Sequence, residues 1–341
     1  MKALVKDKAE VGLKLKEVDV PKIKADEVLI KVKATAICGT DIHIWNWDAW
    51  ASKTIKPPMT VGHEFMGEIV DVGSSVKNLS LGDRVSAESH IVGSTSRNAR
   101  SGKLHLDPDT INVGVNRDGA FAEFLCVPSR NVIKLPGSVD NEMGAILDPY
   151  GNAVHAALSF DLVGEDVLIT GAGPIGIMSA AIALHVGARK VLITDINDDR
   201  LSLVKSVCDV ETLNPSKENL KEKMKHMGLK EGFDIGLEMS GSESALDQMI
   251  DSMLMGGKVA LLGLPSDSIN LDLPKLIFKA LTLKAIYGRE MFETWYKGLA
   301  LIESGLDVTN VITHSFHFTE YEKAFELLNA GKAGKVVLNW D

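Results

Sequence analysis

Residues 171–176 read Gly-Ala-Gly-Pro-Ile-Gly, and the sequence on either side leaves few folds that can hold them. Before them, Asp166-Val167-Leu168-Ile169-Thr170 is a short apolar strand; after them, Ile175 to Val186 is apolar and helix-forming. A second strand pattern, Lys190 to Thr194, leads to an acid, Asp195. The order is strand, glycine turn, helix, strand, acid. Gly171 allows the tight turn, Gly173 lets backbone approach a pyrophosphate, and Gly176 lets helix and strand pack closely. The helix N-terminus offers N–H groups and a positive dipole end to phosphate. Asp195 is placed to accept hydrogen bonds from a ribose 2′-hydroxyl and to repel a 2′-phosphate, which favours NAD over NADP. A glycine turn without a ligand is the competing reading, and it leaves the surrounding pattern unexplained.

The chain has 341 residues, enough for two ordinary cores, so a two-domain enzyme is the natural expectation. Its 45% apolar and 24% charged residues read as globular and soluble. A net charge of −9 with no basic run argues against nucleic acid or an anionic membrane as partner. No apolar stretch is long and uncharged enough to span a bilayer. Met1 to Asp7 reads as a first strand and has no signal-peptide core. Cys38, Cys126 and Cys208 are an odd set at unrelated spacings, which disfavours a disulfide framework and fits a reducing cytoplasm.

Residues 1–147 read as β structure. Val28 to Ala36 alternates in part, Gly67 to Gly73 is a strand closed by glycine, and Leu81-Gly82-Asp83-Arg84-Val85 turns into another strand. From Asp148 the rhythm becomes alternating strands (166–171, 190–195, 233–239, 257–264, 281–287) and helices (174–187, 198–207, 216–226, 243–254). Such units imply a doubly wound parallel sheet with right-handed crossovers. The C-terminal stretch, Tyr321 to Leu328 and then Lys335 to Trp340, reads as helix and strand, and the pattern alone does not say which domain receives it.

Cys38 follows a strand, and Gly62-His63-Glu64 precedes another. Thiolate, imidazole and carboxylate suit Zn²⁺, and a catalytic site uses three protein ligands with one open position. A buried thiol and a hydrogen-bonded loop histidine are the bland readings. Asp148 is a third candidate, at the start of the linker to the nucleotide domain, where it would face the interdomain cleft. His185 and His226 read as helix C-terminal cations, His314 and His317 as strand or loop residues, and His155 as packed in a helix. His90 lies in the domain of Cys38 and is a candidate to line the cleft. Cys126 and Cys208 read as core thiols.

Cys38-Gly39-Thr40-Asp41-x-His43, Gly62-His63-Glu64, Gly82-Asp83-Arg84-Val85 and the glycine run together resemble the zinc-dependent medium-chain dehydrogenases, over essentially the whole chain. The longer strings Cys38 to Asp48, Asp148 to His155, Glu238 to Gly241 and Ile286 to Tyr296 are similar to the members of that family that oxidise L-threonine. The resemblance implies an α/β protein with a GroES-like β-barrel catalytic domain, 1–147 completed by about 293–341. A Rossmann domain, 148–292, lies between. It implies a catalytic zinc at Cys38, His63 and Glu64, with Asp148 near the metal rather than a firm ligand; Glu64 itself reads either as a ligand, sharing a flexible coordination with Asp148, or as a residue just behind the ligands. It further implies NAD contacts at Ile175, Asp195, Arg200, Leu262-Gly263-Leu264 and Ile286-Tyr287, and a homotetramer.

The implied reaction oxidises L-threonine to 2-amino-3-oxobutyrate with hydride passing to NAD, zinc acting as Lewis acid. Thr40 and His43 are expected to relay the hydroxyl proton, imidazole being the side chain that titrates nearest neutral pH. His90 and Arg289 are candidates for the charged ends of the substrate; Arg289 also reads as a cofactor phosphate contact or a surface ion pair. One departure stands out: the family's second, structural zinc uses four cysteines, and here those positions are Gly93, Ser96, Ala99 and Asp107. A Cys₄ zinc cannot form, so hydrogen bonds or subunit contacts are expected to hold 92–110, unless it is mobile. The competing readings are a secondary alcohol or polyol dehydrogenase of the 2,3-butanediol or sorbitol type, a zinc-free quinone reductase, and a non-catalytic NAD-binding structural protein.

Overall fold

The computed structural model describes residues 1–341, which form two compact units. The first comprises 1–149, 290–299 and 312–341; the second comprises 150–289 and 300–311. Residues 300–311, assigned to the first domain by the sequence reading, belong to the second. There Asn310 donates to the Ser206 carbonyl at 2.8 Å, and Ser304 Oγ meets His185 Nε2 at 2.8 Å.

In the first unit the central strand is Glu27–Ala36. Val28, Ile30, Val32 and Ala34 share one face and are fully buried, while Lys31 on the other face is exposed. Burying each of the larger apolar side chains contributes about 1.5–3 kcal/mol. The sheet runs in the order Val132–Lys134, Arg84–Ala87, Glu64–Val72, Glu27–Ala36, Lys335–Asn339, Ile312–His317, with Phe124–Pro128 also on the central strand. A smaller sheet is Lys14–Glu17, Lys2–Lys6, Met59–Thr60. The C-terminal strand thus returns to the first unit, Val337 facing Ala36. The core between these strands includes Ile30, Phe65, Ile69, Phe121, Val127, Phe325 and Leu338.

The second unit is a six-stranded parallel sheet in the order Glu211–Leu213, Lys190–Thr194, Asp166–Thr170, Phe233–Glu238, Met253–Leu261, Thr282–Ala285. The sequence pattern misses the short strand Glu211–Leu213 and the helix Leu273–Phe278, each too short to show a period. It also extends the last strand to 287, whereas pairing stops at Ala285. The helix Pro174–His185 is buried along Gly176 to Ala183, as its uniformly apolar sequence requires. No helix is long and apolar enough to cross a membrane.

Candidate functional site

Strand register assembles the first cluster. Ala36 faces Glu64 across the central pair, so Cys38, just past one strand end, reaches His63 and Glu64 at the start of the other. Gly62 makes the approach possible: its φ is +89°, and a Cβ there would overlap the Phe121 ring. Ligand atoms of Cys38, His63 and Glu64 all lie within 4.8 Å of one another. Asp41, buried in the helix Gly39–Asn46, accepts the Cys38 N–H at 2.9 Å and lies 3.8 Å from His63 Nδ1. Glu64 is ion-paired through Oε2 with Lys335, which also donates to the Ile37 carbonyl at 2.8 Å.

Three buried atoms here lack a hydrogen-bond partner: Asp41 Oδ1, His63 Nδ1 and Glu64 Oε1. Asp41 Oδ1 and His63 Nδ1 face each other, which leaves Glu64 Oε1 open to an occupant; an unsatisfied buried polar atom costs about 1–3 kcal/mol. The charges agree. Burial works against a cation at His63, yet Cys38, Asp41 and Asp148 push its pKa well up. Burial likewise opposes Lys335, but Glu64, Cys38 and Asp41 hold it charged. The pocket therefore carries an excess of negative potential. One sulfur, one imidazole nitrogen and one carboxylate oxygen, convergent, with Glu64 buried and Cys38 and His63 partly so, are a donor set that fits Zn²⁺.

Around this cluster, Thr40 and His43 lie one helical turn apart on Gly39–Asn46, which puts them on one face. Asp148, at the first turn of the helix Leu147–Ala157, is buried and accepts from Ser89 Oγ at 3.0 Å. His90 opens a short strand and meets the buried Glu88 carboxylate at 2.8 Å through Nδ1. The other oxygen of Glu88 accepts the Trp295 indole N–H at 2.9 Å. Asp41, Asp48, Glu88 and Lys335 escape sequence reasoning. Asp41 had a local signal, three residues past the helix N-cap; Glu88–Trp295 and Glu64–Lys335 join distant segments and have none.

The second unit holds the glycine turn. Gly171 has φ +94°, and a Cβ on Gly176 would strike the Gly171 carbonyl. Gly173 is the N-cap of Pro174–His185 and opens on empty space, with no side chain capping the helix. Asp195 is buried and its carboxylate clamps the turn. Oδ2 accepts the Ala172 N–H at 2.8 Å, Oδ1 accepts the Asn197 N–H at 2.9 Å, and Arg200 stands 3.7 Å away. A cavity of about 380 Å³ is lined by Gly171, Gly173, Asp195, Arg200, Ser240 and Gln248 among others. The backbone of Leu262 and Gly263 bonds to the Glu238 carbonyl at 2.9 Å, Leu264 is exposed, and Ile286 bonds to Leu261 while Tyr287 is exposed. Ile175, next to the N-cap, is half-buried.

Arg289 is not on the surface: it is buried, its methylenes against Gly151. Cys208 is only partly buried, at the C-terminus of the helix Asp198–Val207. Cys126 is a core thiol, burial and Glu27 pushing it up to about 12. A cavity of about 410 Å³ between Val18, Arg117 and Phe124 touches none of the cluster residues.

Residues 24–137 match the alcohol dehydrogenase GroES-like domain family, and 174–304 match the zinc-binding dehydrogenase family. The chain is 57% identical to L-threonine 3-dehydrogenase of Ruegeria pomeroyi over 341 residues, the whole of both chains. It superposes on a short chain alcohol dehydrogenase of Escherichia coli CFT073 complexed with NADH (TM-score 0.91, 25% identity, 100% and 99% of the two chains). It also superposes on 2R,3R-butanediol dehydrogenase of Bacillus subtilis (0.90, 25%, 100% and 99%).

Proposed function

This chain belongs to the zinc-dependent medium-chain dehydrogenases, and on that premise we propose that it oxidises L-threonine to 2-amino-3-oxobutyrate with NAD as hydride acceptor. The observation that carries the reading is full-length identity of 57% to a threonine dehydrogenase, against 25% to the butanediol enzyme, joined to the intact Cys38–His63–Glu64 cluster.

When bound, zinc held by Cys38, His63 and Glu64 supplies Lewis acidity to a hydroxyl oxygen, and NAD supplies the hydride acceptor. The rest is work for the chain. Thr40 takes the hydroxyl proton's hydrogen bond and passes the proton to His43, whose exposed ring returns it to water. Lys335 neutralises one oxygen of Glu64 and leaves the other facing the cluster. Asp148, steadied by Ser89, adds negative potential without being a firm ligand. Glu88 aims His90 towards the substrate's charged groups; Arg289 is the second candidate for them. The N-terminus of Pro174–His185 receives the pyrophosphate, and Asp195 with Arg200 receives the adenosine ribose. Ile175, Leu262-Gly263-Leu264, Ile286 and Tyr287 border the remaining cofactor.

We assign one zinc per chain. At the positions where the family places cysteines, Asp107 accepts the Gly93 N–H at 2.6 Å and Ser96 Oγ accepts the Ala99 N–H at 3.1 Å. Hydrogen bonds thus bridge the pairs a metal would bridge. The homotetramer is supported by apolar side chains left exposed on the second unit, and three unpaired cysteines suit a cytoplasmic site. The test is NAD reduction assayed with L-threonine, L-serine and 2,3-butanediol, beside zinc content by mass spectrometry. Preference for L-threonine with one zinc per chain is expected; preference for the diol, or full turnover after exhaustive chelation, refutes the assignment.

A further inference from the structure

Building on the Thr40–His43 relay, we propose that Asp48 is its positioning residue: the carboxylate fixes which nitrogen of His43 carries the proton and where the ring points. The turn after the helix Gly39–Asn46 makes this contact. Trp47 closes the helix at φ 53°, ψ 45°, a left-handed conformation uncommon for a residue with a Cβ. Lys6 Nζ holds it there, 5.0 Å over the Trp47 ring and donating to the carbonyls of Gly12 (3.0 Å) and Trp45 (3.4 Å). The chain therefore doubles back: the Asp48 N–H donates to the His43 carbonyl at 3.4 Å, and Asp48 Oδ2 meets His43 Nδ1 at 2.5 Å.

The second oxygen is occupied elsewhere. Oδ1 accepts the N–H groups of Trp50 (3.0 Å) and Ala51 (2.9 Å). Trp50 then stands edge-on to the imidazole, ring centroids 6.0 Å apart at 60°. One carboxylate thus ties three groups together, and it cannot rotate without breaking all of them. The Ala51 N–H foremost, with His43 and the Trp50 N–H, holds the Asp48 carboxyl below the usual range.

The chemical consequence is directional. A carboxylate only accepts hydrogen bonds, so Nδ1 must present N–H and Nε2 must present its lone pair. Nε2 then takes the proton arriving from the substrate hydroxyl through Thr40. The resulting imidazolium, paired with Asp48, releases that one proton from Nε2 to water. Asp48 stays ionised throughout.

Asp48 is also the N-cap of the short helix Ala49–Thr54; a bare cap would look similar, and Asp48→Asn separates the two roles. Asparagine caps as well as aspartate. With its oxygen kept by Ala51, however, its NH₂ faces Nδ1 and turns the ring to the Nε2–H tautomer, which cannot accept. Ring ¹⁵N–¹H spectra of the protein without substrate should show His43 as Nδ1–H in the wild type and Nε2–H in D48N. Turnover of D48N should fall on the order of 10²-fold with KM and thermal midpoint little changed, and D48N should add nothing in an H43A background. Normal turnover in D48N beside an impaired H43A sinks the role of Asp48 alone; full turnover in H43A sinks the relay and this proposal with it. Should D48N not fold, the wild-type spectrum decides, and an Nε2–H ring there overturns the idea.

Discussion

At the scale of single residues, Asp195 joins a proposed duty to an observed one. The sequence shows an acid positioned for a ribose. The fold adds that its oxygens hold the backbone N–H groups of Ala172 and Asn197, the first of them inside the glycine turn. Asp195→Ala should therefore do two measurable things. It should cost about 1–3 kcal/mol in urea unfolding, because buried N–H groups lose their acceptor. It should also raise the NADP-to-NAD ratio of kcat/KM on the order of tenfold, one like-charge repulsion of about 1.4 kcal/mol being removed. An unaltered ratio with lowered stability would leave Asp195 as a turn clamp only. Lys335 is the other telling residue. A buried ion pair broken on one side costs about 3–5 kcal/mol, so Lys335→Met should unfold well before the wild type.

At the scale of elements, two segments depend on a few side-chain contacts. The segment 92–110 is closed by Asp107 on Gly93 and by Asn98 on the Leu106 carbonyl at 2.7 Å. Asp107→Ala should make it the first site of proteolytic cleavage, and chelators should leave the wild-type segment as resistant as before. Protection lost on chelation would mean that a metal holds it. The strand Glu27–Ala36 begins on a buried acid. Burial raises the Glu27 carboxyl, but Arg117 at 2.8 Å, the Lys24 N–H and the Cys126 thiol outweigh it and bring the pKa below the ordinary value. The sign follows. A folded-state pKa below the unfolded one, near ~4.3 for Glu, gives stability that is present above that pH and lost as pH falls through the folded value. Arg117→Ala should remove part of the acid-side slope of stability, read as unfolding midpoint against pH between about 3 and 5.

At the scale of the whole molecule, the second unit leaves Met255, Leu273, Ile277 and Phe278 in solvent, beside an edge strand, Thr282–Ala285. Apolar surface and an unpaired edge together call for a covering partner. If the proposed tetramer uses this surface, Phe278→Asp should lower the mass seen by light scattering below that of the wild type while the far-ultraviolet spectrum stays the same. A wild type that is monomeric at micromolar concentration would overturn the proposed tetramer.

What the sequence determined by itself is whatever depends on near neighbours. The strand–turn–helix at 166–185, the alternation of strands and helices from 148 on, and the cysteine-free segment at 92–110 are all local patterns of period, turn chemistry and composition. Elements too short to show a period, Glu211–Leu213 and Leu273–Phe278, were lost for that same reason. Tertiary structure alone decided the rest. Cys38 and His63 meet because Ala36 pairs with Glu64; Glu64 is ion-paired because the strand Lys335–Asn339 lies beside Glu27–Ala36; Asp48 reaches His43 because the chain turns left-handed at Trp47, against Lys6. Each of these is a contact set by register or backbone handedness, and residue order along the chain carries no distance across a sheet.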